Sequence, residues 1–190
     1  LDYLASPEDN STQDFVNPLL ALQLLGNLTD PSERKDLQAL ALRELANDDP
    51  LKALDALATL PPGSVDLIVY SELFKSLAKQ DPANAAHLAE AMPAGKKRLK
   101  AIEGVSSALA AKDPKSAIDW VMGRSLDKSQ LSGPLTMIAD SWGQLDAQAA
   151  INWAAGLPSE NSNVLANLFV SIVAGHRQTM NPQLFAANFD

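Results

Sequence analysis

Asp81-Pro82-Ala83-Asn84-Ala85-Ala86-His87-Leu88-Ala89-Glu90-Ala91-Met92-Pro93 recurs, with changes, along a chain of 190 residues. The same frame opens at Asn17-Pro18, Asp49-Pro50, Asp113-Pro114, Asp146-Ala147 and Asn181-Pro182, with spacings of 32, 32, 32, 33 and 35 between successive starts. Each start is a helix signal. Asp or Asn caps free N–H groups, and the proline that follows needs no N–H and carries a preset φ.

Counting the Asp or Asn as position one, position five is Ala21, Ala53, Ala85, Ala117 and Ala150. Positions eight, nine and twelve are apolar in every unit except at Arg124, giving the i, i+3, i+4, i+7 stripe of an amphipathic helix. The alanine at position five predicts a close neighbour on that face. Pro61, Pro93 and Pro158 then end the helix, because proline disfavours the α conformation in the residue before it.

A second apolar stripe follows in each unit: Leu67, Tyr70, Phe74 and Leu77; Leu99, Ile102, Val105 and Leu109; Leu135, Ile138 and Trp142; Leu165, Leu168 and Ile172. Asp30-Pro31-Ser32-Glu33 starts the second helix of the first unit. In the fourth unit Gly133-Pro134 reads as the opening of the helix, capped by Ser132 or Gly133, after a polar connection over residues 125–130. The expectation is about eleven short antiparallel helices, each too short to stand alone and each burying its stripe on its neighbours. The repeats fill 17–190, with units starting at 17, 49, 81, 113 and 146 and a partial one at 181, behind a polar tail or linker at 1–16.

The formal net charge is −8, and residues 1–16 carry four carboxylates and no cation. Such a chain is a poor fit to nucleic acid, since neutralising phosphates needs clustered Lys and Arg. Cysteine is absent, which excludes disulfides and thiolate metal sites without deciding the compartment. The start at Leu1 implies a processed or excised piece. The richest apolar run, 164–174, is interrupted by Asn167 and Ser171 and reads as a core helix of a soluble chain, not a membrane span.

A Pro-started helix with alanine at position five, paired with a second amphipathic helix at this period, resembles a tetratricopeptide-type α-solenoid. The period of 32 and the lack of the usual Gly-plus-Tyr pattern depart from the ordinary repeat. The sequence is more similar to a divergent bacterial repeat, Asp-Pro-x-x-Ala-x-x-Trp-x-x-x-Leu-Pro, best seen from Asp146 to Pro158, although Ala147 replaces proline there. The resemblance implies an all-α, right-handed superhelix of about five helical hairpins in the bacterial cytoplasm or periplasm, binding a protein or peptide on a concave face.

Position seven is Gln23, Asp55, His87, Asp119 and Asn152, which stacking would set in a row. With Lys52, Asn84 and Ser116 at position four, this ladder is the candidate partner-binding surface; the alternative is a solvated face opposite the apolar stripe. Trp120, Trp142 and Trp153 sit on apolar stripes and read as core, with an aromatic groove as the alternative. Lys96-Lys97-Arg98-Leu99-Lys100 opens a helix, where cations oppose the macrodipole; it reads as a solvated face or a contact for an acidic partner.

The two histidines make no local metal-ligand pair, no nucleotide or hydrolase motif appears, and Glu72 and Glu103 read as solvated carboxylates. The expectation is therefore a scaffold without catalytic residues, cofactor or metal. Its rivals are the helical segment of a larger, cell-envelope enzyme and a module that self-associates through its end repeats, where Phe185 and Phe189 lie.

Overall fold

A computed structural model describes residues 17–157 and 162–179, and among these all regular structure is helical. The helices are α1 (Pro18–Leu25), α2 (Pro31–Asp48), α3 (Pro50–Thr59), α4 (Ile68–Gln80), α5 (Pro82–Ala91), α6 (Lys96–Ala110), α7 (Pro114–Met122), α8 (Lys128–Ala155) and α9 (Ser162–Thr179). α8 is two limbs, 128–145 and 147–155, because Asp146 between them is non-helical, at φ −154° and ψ 89°. The expected tail at 1–16, the stop at Pro158 and the partial unit at 181 lie outside the described residues.

The recurring aspartate builds each junction. Asp49, Asp81 and Asp113 share an extended conformation close to that of Asp146, with φ between −136° and −147° and ψ between 87° and 98°. Their own N–H groups donate backwards to Leu45, Leu77 and Leu109 at 2.8, 2.7 and 2.9 Å, closing the preceding helix. Their carboxylates accept forwards from the amides of Lys52, Asn84 and Ser116 at 3.0, 3.0 and 3.3 Å, opening the next helix. Asp146 does the same for Ala149 at 3.0 Å without a proline beside it. At Asp49, Asp81 and Asp146 one residue thus ends one helix and starts another with no loop between them, and at Asp113 only the turn at Ala111-Lys112 intervenes.

The even-numbered helices and α9, together termed the even helices, form a row, α2 on α4, α4 on α6, α6 on α8 and α8 on α9, and α3, α5 and α7 each bridge the two row helices that flank them. Ala53, Ala85, Ala117 and Ala150 at position five are fully enclosed, as the small residue there predicts. The tightest backbone approaches lie elsewhere, between even helices. A Cβ on Gly104 would overlap the Ser71 carbonyl of α4 and come within 2.9 Å of the Lys75 amide nitrogen. Gly143 and Gly175 meet the Ile172 and Asp140 carbonyls across the α8–α9 contact in the same way. The core comprises four clusters along the row, and its fully buried Leu73, Leu77, Ile102, Ile138, Leu168 and Ile172 each contribute about 1.5–3 kcal/mol.

Three details differ from expectation. α8 does not open at Gly133-Pro134: Asp127 caps it, accepting from Ser129 and Gln130 while Gln130 Oε1 accepts the Asp127 N–H at 3.1 Å. That reciprocal pair stabilises an earlier start and leaves Pro134 inside the helix, buried. Leu67 stands outside its stripe at the exposed start of α4, where Val69 and Leu73 are buried instead. Glu103 is not solvated: residues 101–108 of α6 are buried without a break because neighbours enclose the helix, and the Glu103 carboxylate pairs with Lys100 at 2.6 Å against Gly133 of α8. Glu72 lies half-exposed and pairs with Arg43 of α2 at 2.7 Å.

Candidate functional site

Position seven lies opposite positions five and nine on a helix of 3.6 residues per turn, so burying the alanines turns the ladder outward. Gln23, Asp55, His87, Asp119 and Asn152 are all exposed, on α1, α3, α5, α7 and the second limb of α8. Lys52 and Ser116 are exposed as well, and Asn84 is half-buried.

The polar members do not share one task. Lys52 Nζ lies 2.8 Å from Asp49 Oδ2, and that contact raises the Lys52 pKa while lowering that of Asp49. The Ser116 hydroxyl donates to Asp113 Oδ2 at 2.5 Å and holds that carboxyl below its ordinary range. Asn152 Oδ1 accepts from Gln148 Nε2, one turn earlier, at 3.1 Å. Position four therefore serves the cap of its own helix at Lys52 and Ser116, a role that the sequence reading did not assign.

Three ladder residues do meet at a concave feature. Gln23 of α1 and Lys52 and Asp55 of α3 line a cavity of about 400 Å³ between these helices, walled by Leu19, Leu22, Ala56, Thr59 and Leu60. Leu22 is buried and Leu19 is 39 % exposed, so the groove has an apolar floor that continues to a partly open wall. Because Lys52 is drawn to Asp49, Asp55 faces this groove without an ion pair among the described residues. His87, Asp119, Asn152, Asn84 and Ser116 belong to later helices and lie outside the groove. Its apolar wall was missed from sequence; the available signal was Leu19, a leucine off the stripe in a helix of eight residues.

The tryptophans pack. Trp142 is 7 % exposed and lies 5.6 Å from Trp153, centroid to centroid, in the cluster formed by α8 and α9. Trp120 is half-buried under the Arg124 guanidinium, 4.6 Å from its ring centroid, and Arg124 also reaches Glu90 of α5 at 2.8 Å. The one residue that broke the apolar stripe is thus a tie between α5 and the end of α7. The basic run at the start of α6 is also partly committed: Lys97 sits over Tyr70 at 5.2 Å, and Lys100 pairs with Glu103.

Among the described residues no group of three or more His, Cys, Asp or Glu is placed to hold a metal ion, and no helix is long and apolar enough to cross a membrane. The chain matches no protein-family model, and comparison with curated proteins and with solved structures likewise finds no match.

Proposed function

We propose that this chain is a non-enzymatic helical-repeat scaffold of the tetratricopeptide-like solenoid type that binds a protein or peptide through the α1–α3 groove. The observation that carries the reading is the groove itself, lined by apolar Leu19, Leu22, Ala56 and Leu60 together with Asp55, which has no ion pair among the described residues. Its volume of about 400 Å³ falls in the range of ligand-sized clefts, and its apolar wall beside Asp55, with the Lys52 charge taken up by Asp49, suits a side chain with a cationic neighbour. The ligand chemistry is therefore a peptide presenting a large apolar residue beside Lys or Arg. The repeated aspartate junction and the row of even helices support the solenoid part of the reading, and the net charge of −8 fits a basic rather than a phosphate-rich partner.

Panning a random linear-peptide library against the immobilised full chain tests this reading. Enriched peptides should combine a large apolar residue with Lys or Arg. Asp55→Lys should weaken them at least tenfold, and Thr59→Trp, which fills the groove mouth from an exposed position, should abolish binding. Lack of enrichment, or peptides that bind both variants as well as the parent, would refute it.

A further inference from the structure

The row leaves two faces open, one at each end, the first of them flanked by α1. On α2 the side away from α4 carries Leu37, Leu40 and Glu44 around Ala41, which is buried at 8 % exposure and forms the floor, opposite Leu42 and Ala46 in the core. Leu40 is 51 % exposed, and with Pro18, Ala21 and Leu25 of α1 these residues form an apolar groove of about 290 Å³. On α9 the side away from α8 presents Val170, Val173, Ala174 and Arg177, opposite buried Leu168 and Ile172. Val170 is 69 % and Val173 51 % exposed, so these two side chains stand out as a ridge beside an open hollow that Phe169 also lines.

We propose that the α9 ridge of one copy of this chain docks into the α1–α2 groove of a second copy, head to tail. The two faces match in register. Both read apolar, apolar, alanine, charge at i, i+3, i+4 and i+7, so aligned parallel helices set Val170 against Leu37, Val173 against Leu40, Ala174 against Ala41, and Arg177 against Glu44.

The parallel arrangement is the one the row already uses. Between α6 and α8, Glu103 meets Gly133 and Ser107 meets Ser141, pairs that advance together along both helices. A second copy's α2 would take the place next to α9 that each even helix takes next to the one before it. Charge complementarity selects a second copy over an unrelated partner: neither Glu44 nor Arg177 has an ion pair among the described residues, and each is the counter-charge the other face needs. The contact joins two different faces, so the assembly does not close on itself and grows with concentration.

Multi-angle light scattering of the full chain tests this, with circular dichroism confirming that each variant keeps its helices. The mean mass of the parent should rise with concentration. Leu40→Asp blocks the groove and Val170→Asp with Val173→Asp blocks the ridge; each variant alone should run as a monomer. Mixed, they should form a one-to-one dimer, because each retains one free end. Glu44→Arg and Arg177→Glu should each lower the mean mass, and the double reversal should restore it. A parent that stays monomeric at every concentration, as it would if its own terminal residues occupied the ridge, overturns the proposal. So does a mixture of blocked variants that stays monomeric, or a single-end variant that still dimerises. None of these substitutions touches the α1–α3 groove, so peptide binding and self-association fail independently.

Discussion

Ser141 of α8 donates its hydroxyl to the main-chain carbonyl of Ser107 on α6 at 3.3 Å, and the two hydroxyl oxygens lie 3.2 Å apart, both side chains buried. The geometry is asymmetric, because the Ser107 hydroxyl depends on Ser141 whereas Ser141 keeps a carbonyl acceptor without the Ser107 side chain. Ser141→Ala should therefore destabilise by about 0.5–1.5 kcal/mol and Ser107→Ala by less. Urea unfolding of the two variants checks this; equal losses would mean that the interhelical bond is not the relevant term.

The close approach at Gly104 makes a sharper prediction. Alanine is worth about 1 kcal/mol more than glycine inside a helix, so propensity alone would stabilise Gly104→Ala. The added methyl would overlap the Ser71 carbonyl, which belongs to the α4 backbone and cannot swing aside. Overpacking should win, with a net loss of about 1–3 kcal/mol. Gly123→Ala is the control: its added carbon would meet the Asp119 carbonyl at 3.4 Å, an ordinary contact, and its φ of −72° suits any residue, so its stability should barely change.

Ala147 occupies the proline position of its unit, and Asp146 before it holds φ −154° and ψ 89°, the extended conformation that a following proline requires. Ala147→Pro should stabilise the chain by about 0.4–1 kcal/mol through a less flexible unfolded state. A lower urea midpoint instead would show that the Asp146 junction differs from the other three aspartate junctions.

The caps set an acid limit. The Asp49 carboxyl is held below its ordinary value of 3.8 by the Lys52 ammonium, Asp113 by the Ser116 hydroxyl, and Asp127 by the Ser129 hydroxyl. A depressed folded pKa gives stability that is complete above the unfolded value and is lost as pH falls through the folded one. Urea midpoints should therefore drop between about pH 5 and about pH 3, and replacing all three with Asn, which also caps, should flatten that drop. Identical acid limbs in parent and variant would exclude these caps as the cause.

Local signals were legible because they act within one turn. The Asp-Pro starts, the enclosed Ala53, Ala85, Ala117 and Ala150, and the outward ladder from Gln23 to Asn152 all follow from a cap reaching two or three residues and a period of 3.6. Gly133-Pro134 misled because a proline looked like a beginning, while the reciprocal bonds of Asp127 and Gln130 six residues earlier set the start of α8. Glu103 looked solvated because nothing in its own helix encloses it; Gly133 of α8 does. The candidate groove was half visible: Gln23, Lys52 and Asp55 were marked, but their meeting with Leu19 and Leu22 depends on how α1 lies beside α3.

The sequence by itself determined the helical class, the period and the residue that ends one helix and starts the next, since these depend on neighbours in the chain. Only the tertiary structure decided which helices touch, that glycines rather than the position-five alanines mark the tightest approaches, and that Lys52 serves a cap while Asp55 faces a groove. Apart from the Lys52–Asp49 pair, which is local, those outcomes depend on the registers between helices remote in sequence, where burial and steric fit act together and no local pattern carries the information.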